Sequence, residues 1–153
     1  MTPQLAQWLT ANGFSSGDVQ GARADGLTPL LKASSEGDLE ALRDIVARGG
    51  KLGATTRDGN NAIWLACASG SLEAIELLAA AGVDLHHRNP DGSTALIYAA
   101  SAGKTAAVAL LLRLGADPAQ ENVDGFSARD LAANLECLQL LRGPSRPRRT
   151  AAV

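Results

Sequence analysis

The sequence predicts an all-α solenoid of stacked helix-turn-helix units with a cap at each end. Three observations lead to this fold class. The dipeptide Asp-Gly recurs every 33 residues, beginning at Asp25, Asp58, Asp91 and Asp124. Two further glycine positions and several apolar positions recur at the same interval. A single helix pair cannot bury both of its faces, so units of this kind have to stack on one another.

Each unit is expected to begin with a turn and to continue into two short helices. Asp-Gly provides the turn, because glycine adopts a positive φ without steric cost. In the first unit, Thr28 and Pro29 suit the N-cap and the first helical position. In the second helix of the next unit, Leu72, Ile75 and Leu78 are spaced so that they share one helix face.

Glycines mark the end of both helices in each unit. Gly37, Gly70 and Gly103 are predicted to end the first helices. Gly49, Gly82 and Gly115 stand where a left-handed C-terminal cap is favoured. We therefore predict a positive φ at Gly82 and Gly115.

The unit resembles the ankyrin repeat, because Asp-Gly, Thr-Pro-Leu, Gly-x-Leu-Glu and Gly-Ala-Asp occur in one register. The matching segments are residues 25–30, 70–73 and 115–117, and the resemblance covers roughly residues 3–142. The family usually has a histidine after Thr-Pro-Leu, which ties neighbouring repeats by hydrogen bonds. Those positions here hold Leu31, Trp64, Ile97 and Asp130. We expect side-chain packing to replace these bonds, with Trp64 buried between repeats.

The register also predicts how the chain is divided. A capping helix and its connection occupy residues 1–23, and Leu5, Trp8 and Leu9 resemble the second helix of a unit that lacks its first half. The following segments are three repeats at about 24–56, 57–89 and 90–122, a shortened capping repeat at 123–142, and a disordered basic tail at 143–153.

The shortened repeat leaves two structures open. It lacks three residues between the positions of its two helices, and the glycine that separates them is missing. Asn134 either caps a second helix, or residues 128–141 form one bent helix. We favour two helices joined by a tight turn.

Composition and charge exclude several classes of function. The longest apolar run, residues 106–112, is far shorter than the roughly 20 residues that span a bilayer. The first basic residue is Arg23, so the basic start of a secretory signal is missing. The formal charge is −2, but residues 142–153 hold four arginines and no acid, so the remainder carries −6. This acidic body, with only five aromatic residues, argues against nucleic acid as a ligand.

No catalytic, cofactor or metal site is predicted. Gly103-Lys104-Thr105 resembles the end of a phosphate-binding loop, but the glycine required five residues earlier is Tyr98. His86 and His87 are expected to be a solvated pair, since neighbouring histidines do not readily share a metal. Cys67 is expected to be a small buried residue. Two cysteines provide no disulfide framework, which suits a reducing, cytoplasmic location.

The basic tail has two interpretations. Its arginines are either a localisation, phosphorylation or anion-binding signal, or they merely keep the end of the chain soluble, and we favour the second.

The resemblance implies a non-catalytic interaction module or adaptor, a monomer without cofactors, that binds a protein partner through its turn tips and inner helices. The alternative is a small regulatory or ligand-binding protein acting on an enzyme, or an enzyme on a repeat scaffold. The residues expected to bind the partner are Arg57, Asp58, Asn60, Arg88, Asp91, Ser93, Glu121, Asp124 and Phe126. Phe126 is either an exposed anchor or a residue packed against the shortened repeat.

Overall fold

The computed structural model describes residues 1–142, and within them the chain forms eight α-helices joined by turns. The helices are α1 (Pro3–Ala11), α2 (Pro29–Glu36), α3 (Leu39–Ala47), α4 (Ala62–Ser69), α5 (Leu72–Ala81), α6 (Ala95–Ser101), α7 (Thr105–Arg113) and α8 (Leu135–Arg142). The prediction of an all-α solenoid of helix pairs is confirmed. The expectation of a disordered tail falls on residues 143–153, which lie outside the described part of the chain.

Side-chain caps explain where most of the helices begin, although α7 has none. The side chains of Thr28, Asn61 and Thr94, which are one repeat apart, each accept a hydrogen bond from a backbone N–H in the first turn of α2, α4 or α6. Asp38 and Ser71 cap α3 and α5 in the same way. Each cap satisfies a donor that the helix itself leaves unpaired.

Glycines end the helices as predicted. Gly37 and Gly70 are left-handed C-caps of α2 and α4. Gly82 caps α5 with a φ of 101°, and Gly115 follows the end of α7 with a φ of 105°. Residues other than glycine rarely adopt a positive φ, so these glycines have a structural role.

The helices pack in two rows with the core between them. The inner row is α2, α4 and α6, and the outer row is α1, α3, α5, α7 and α8, each in contact with the next. The core is aliphatic and repeats with the chain: Leu30, Ile63 and Leu96 come from the inner row, and Leu42, Ile75 and Val108 from the outer row. Helix α1 lies against α3, as expected of a capping helix.

The fourth unit departs from both structures that the sequence left open. Residues 128–131 form only a hydrogen-bonded turn, and α8 is the one helix of this unit. The favoured pair of helices is therefore wrong, as is a single bent helix. The carboxylate of Asp130 accepts hydrogen bonds from the backbone and the hydroxyl of Ser127, closing the turn locally. Asn134 then caps α8 by accepting a bond of 2.8 Å from the N–H of Cys137.

No helix within residues 1–142 has the length and apolarity needed to cross a bilayer.

Candidate functional site

The four turns that follow one another along one edge of the solenoid form its most regular surface. We call them the turn tips, residues 23–27, 56–60, 89–93 and 122–126. In the third tip, the Asn89 Oδ1 accepts bonds of 3.0 Å from the N–H groups of Asp91 and Ser93. In the fourth, Asn122 Oδ1 accepts equivalent bonds from Asp124 and Phe126. The side chains on these tips therefore project from a backbone that is held in place locally.

The first two tips are held by other side chains at related positions. The Asp25 carboxylate accepts a bond from the N–H of Leu27, and Thr56 Oγ1 accepts one from the N–H of Asn60. Asp25 also forms an ion pair with Arg23, and the hydrogen bond from this guanidinium lowers the pKa of the Asp25 carboxyl. Asp25 is therefore ionised at neutral pH.

Neighbouring tips are joined by hydrogen bonds from long side chains. The guanidinium of Arg57 donates to the carbonyl oxygen of Ala24 in the preceding tip. That of Arg88 donates to the carbonyl oxygen of Glu121, at 3.0 Å, next to the following tip. Arg57 and Arg88, both expected to bind the partner, therefore also join neighbouring tips. Charge reversal at either residue would disturb the stacking of the tips as well as any partner contact.

The expectation that His86 and His87 form a solvated pair holds for only one of them, because His87 connects the second and third tips. His86 is exposed, but His87 is half-buried and its Nε2 lies 2.7 Å from the carbonyl oxygen of Gly59. In the same join, Asn89 Nδ2 donates to Asn60 Oδ1 at 3.1 Å. His87 and Asn60 are therefore partly structural.

The other expected partner-binding residues differ in exposure. Asp58, Asp91, Glu121 and Asp124 are exposed, and Ser93 is half-buried. Phe126 is 48% exposed, so it is not a core residue of the shortened repeat. An aromatic ring with this much open surface fits the anchor interpretation.

The carboxyl ends of the inner helices α4 and α6 carry small exposed side chains, and we call this surface the floor. Ala68 and Ser69 of α4 and Ser101 of α6 are exposed there, whereas the equivalent end of α2 exposes the larger Glu36. Small side chains let another backbone approach such a surface closely.

An aromatic stack lies beside this floor. The rings of Trp64 and Tyr98 have centroids 4.7 Å apart and planes inclined by 22°. Both residues are half-buried, so Trp64 lies between two repeats as expected but keeps an open edge. Sequence reasoning missed Tyr98 as its partner, although the repeat register places position 98 one residue beyond the equivalent of Trp64.

The two cysteines are both buried. Cys67 is fully buried, and desolvation raises the pKa of its thiol to about 12, so it stays protonated and unreactive in the folded protein. Cys137 is also buried, with its Sγ 3.6 Å from Thr105 Oγ1. Among residues 1–142, no three His, Cys, Asp or Glu side chains are grouped as metal ligands.

The match to a family model identifies the family of this chain. A family model described as ankyrin repeats in three copies matches residues 2–89 and 64–146. The chain belongs to the ankyrin-repeat family. Ankyrin repeats are generally protein-protein interaction modules and typically non-catalytic. No curated protein matches the chain significantly.

Among solved structures, the chain is similar to the ankyrin repeat domain of Bcl-3, described as a unique member of the IkappaB protein family. The two share 26% identity and superpose with a TM-score of 0.78 over 87% of this chain. The chain spans 60% of the length of that Bcl-3 structure.

Proposed function

We propose that this ankyrin-repeat chain is a non-catalytic adaptor that binds a protein partner along the surface formed by its turn tips and inner helices. The observation that carries the proposal is the local bracing of the tips. Braced tips stand in a row, and small exposed side chains lie at the ends of the inner helices α4 and α6. A preorganised surface loses little conformational freedom on binding, which favours affinity.

The proposed contacts follow from what remains exposed. Asp58, Asp91, Glu121, Asp124 and Phe126 reach the partner directly. Arg57, Arg88, Asn60 and Ser93 support the tips and contribute at their edges. Exposed charges of this kind mainly govern the rate and specificity of association, whereas a packed aromatic ring contributes more affinity.

The proposal includes the state in which the protein acts. We infer a cofactor-free monomer with 1–23 and 123–142 as caps and 24–122 as the repeats between them. Two free, buried cysteines are compatible with a reducing compartment, which supports a cytoplasmic location.

A pair of arginine substitutions tests the proposed surface. The partner is first captured with the full chain and identified by mass spectrometry. Ala68→Arg then places a large charge on the floor, while Ala80→Arg places the same side chain at an exposed site of the outer helix α5. We expect Ala68→Arg to weaken binding at least tenfold, and Ala80→Arg to leave the affinity unchanged. Loss of binding with Ala80→Arg alone would show that the outer helices carry the interaction.

A further inference from the structure

The fourth turn tip differs in chemistry from the three tips before it. Its two exposed apolar side chains are Val123, which is 67% exposed, and Phe126, which is 48% exposed. The equivalent pairs in the earlier tips are Ala24 with Leu27, Arg57 with Asn60, and Pro90 with Ser93. Only the fourth tip among them presents two large, exposed apolar side chains, and such residues mark interaction sites when they occur together.

The backbone of this tip is held from two directions. The N–H of Val123 donates to the carbonyl oxygen of Asp91 at 2.9 Å, which ties the fourth tip to the third. Within the tip, Asn122 accepts hydrogen bonds from the N–H groups of Asp124 and Phe126. The two apolar side chains therefore project from a fixed frame, and a partner does not have to order that frame on binding.

The surroundings of the apolar pair are acidic. Glu121 and Asp124 are both exposed, and within residues 1–142 neither carboxylate forms an ion pair. The guanidinium of Arg88 donates to the carbonyl oxygens of Gly92 and Glu121 rather than to these carboxylates. Two fourth tips would repel each other, so the charge favours a basic partner over a second copy of the chain.

We propose that the fourth tip is the anchor of the partner site and selects a segment in which an aliphatic or aromatic side chain is flanked by lysines or arginines. The apolar side chain packs on Val123 and Phe126, and the flanking cations face Glu121 and Asp124. This proposal rests on the proposed function, since it assigns the partner chemistry of one part of the same surface.

A random 12-residue peptide library displayed on phage provides the probe. The library is selected on the full chain, and the recovered peptides are measured against four variants. Phe126→Ser and Asp124→Lys change the tip. Leu72→Ser and Glu73→Lys make the same kinds of change at exposed positions of α5, and they are the matched controls.

We expect the peptides to be enriched in basic residues around one large apolar residue. Phe126→Ser should lower their affinity roughly thirtyfold, the loss typical of an anchor residue. Asp124→Lys should slow association about tenfold and reduce its dependence on salt. The two control variants should bind as the unmodified chain does.

The results distinguish this proposal from the proposed function. A library that yields no peptide dependent on Phe126 overturns the fourth-tip assignment, and so does enrichment of acidic or uncharged peptides. If the peptides instead depend on Ala68, the proposed function stands while the anchor assignment fails. If a chain ending at Arg142 selects such peptides and the full chain does not, the chain's own basic segment occupies the tip and the external partner is excluded.

Discussion

The central repeat, residues 57–89, and the fourth unit, residues 123–142, have the same kind of tip but different bodies. In both, the side chain of the first tip residue accepts a hydrogen bond from a backbone N–H within the tip. This residue is Thr56 in the central repeat's tip and Asn122 in the fourth. Behind the central tip stand two helices, α4 and α5. Behind the fourth tip stand a turn and α8 alone. A tip is thus a local structure that survives the loss of the helix following it.

The helices behind the two tips also differ in how tightly they are packed. Ile75 of α5 is fully buried because helices cover it on both sides of its row and from the inner row. Leu138 holds the same register position in α8 and is only partly buried, since no inner helix covers it. In a solenoid the stability of a unit depends on the contacts with its nearest neighbours. We therefore expect the fourth unit to open more easily than the central repeat.

The largest difference is expected when these equivalent residues are truncated. Ile75→Ala should lower the free energy of unfolding by about 3 kcal/mol, because it removes buried apolar volume and leaves a cavity. Leu138→Ala should cost less than about 1 kcal/mol, because its site is already open to solvent. Urea unfolding followed by far-UV circular dichroism measures both. Equal losses would mean that the two positions are packed alike.

Alanine substitution at the tip glycines Gly59 and Gly125 compares the same two regions, and we expect it to change the unfolding free energy less. A methyl group at Gly59 would meet Pro90 Cδ at 2.5 Å, and the φ of 82° is unfavourable for alanine. At Gly125 the φ is 81°, but the nearest atom, Glu121 Oε2, is 4.0 Å away. We expect Gly59→Ala to cost about 2 kcal/mol and Gly125→Ala about 1 kcal/mol of unfolding free energy. A stabilising effect of either alanine in thermal unfolding would refute the turn assignment.

The smallest effect concerns how units are joined. The Trp64–Tyr98 stack connects the second and third repeats, whereas the equivalent positions in the next pair of units hold Ile97 and Leu131, which have no rings to stack. A double-mutant cycle of Trp64→Leu and Tyr98→Leu should give a coupling of about 1 kcal/mol. A coupling near zero would leave the rings as independent packing residues.

Much of the fold could be predicted from the sequence because the same local interactions recur in each repeat. Asp-Gly turns, threonine caps such as Thr28, and the glycines Gly82 and Gly115 act through neighbours in the chain, so one register describes them all. The fourth unit was recognised as short. That its first helix is absent did not follow, because helix propensity in residues 128–133 and the reciprocal bonds between Ser127 and Asp130 both favour a helix start. After one turn the chain instead bonds to α6, through the N–H of Ala133 and the carbonyl oxygen of Ala100.

The candidate surface was less predictable than the fold. The register located the tips, but the hydrogen bonds of Arg57 and Arg88 depend on the distance between stacked tips, which no local pattern encodes. The same holds for His87 and Tyr98, whose partners lie in neighbouring repeats. The exposure of Phe126 also depends on what packs beside it, and the sequence alone left two interpretations.

The two buried cysteines allow the stabilities of the two regions to be compared in one molecule. Cys67 lies in α4 of the central repeat and Cys137 in α8 of the fourth unit, and both are fully buried. A thiol reagent therefore reacts with each only when its region opens. Burial raises the pKa of the closed Cys67 thiol to about 12, so labelling from the folded state is suppressed further.

Native-state thiol labelling, resolved by mass spectrometry of proteolytic fragments and normalised to the rates of the unfolded chain, tests the central claim most directly. If the fourth unit opens more easily than the central repeat, Cys137 should be labelled at least tenfold faster than Cys67, which corresponds to about 1.4 kcal/mol less opening free energy. Equal normalised rates for Cys137 and Cys67 would contradict the account, because they would show that the solenoid opens as a single unit.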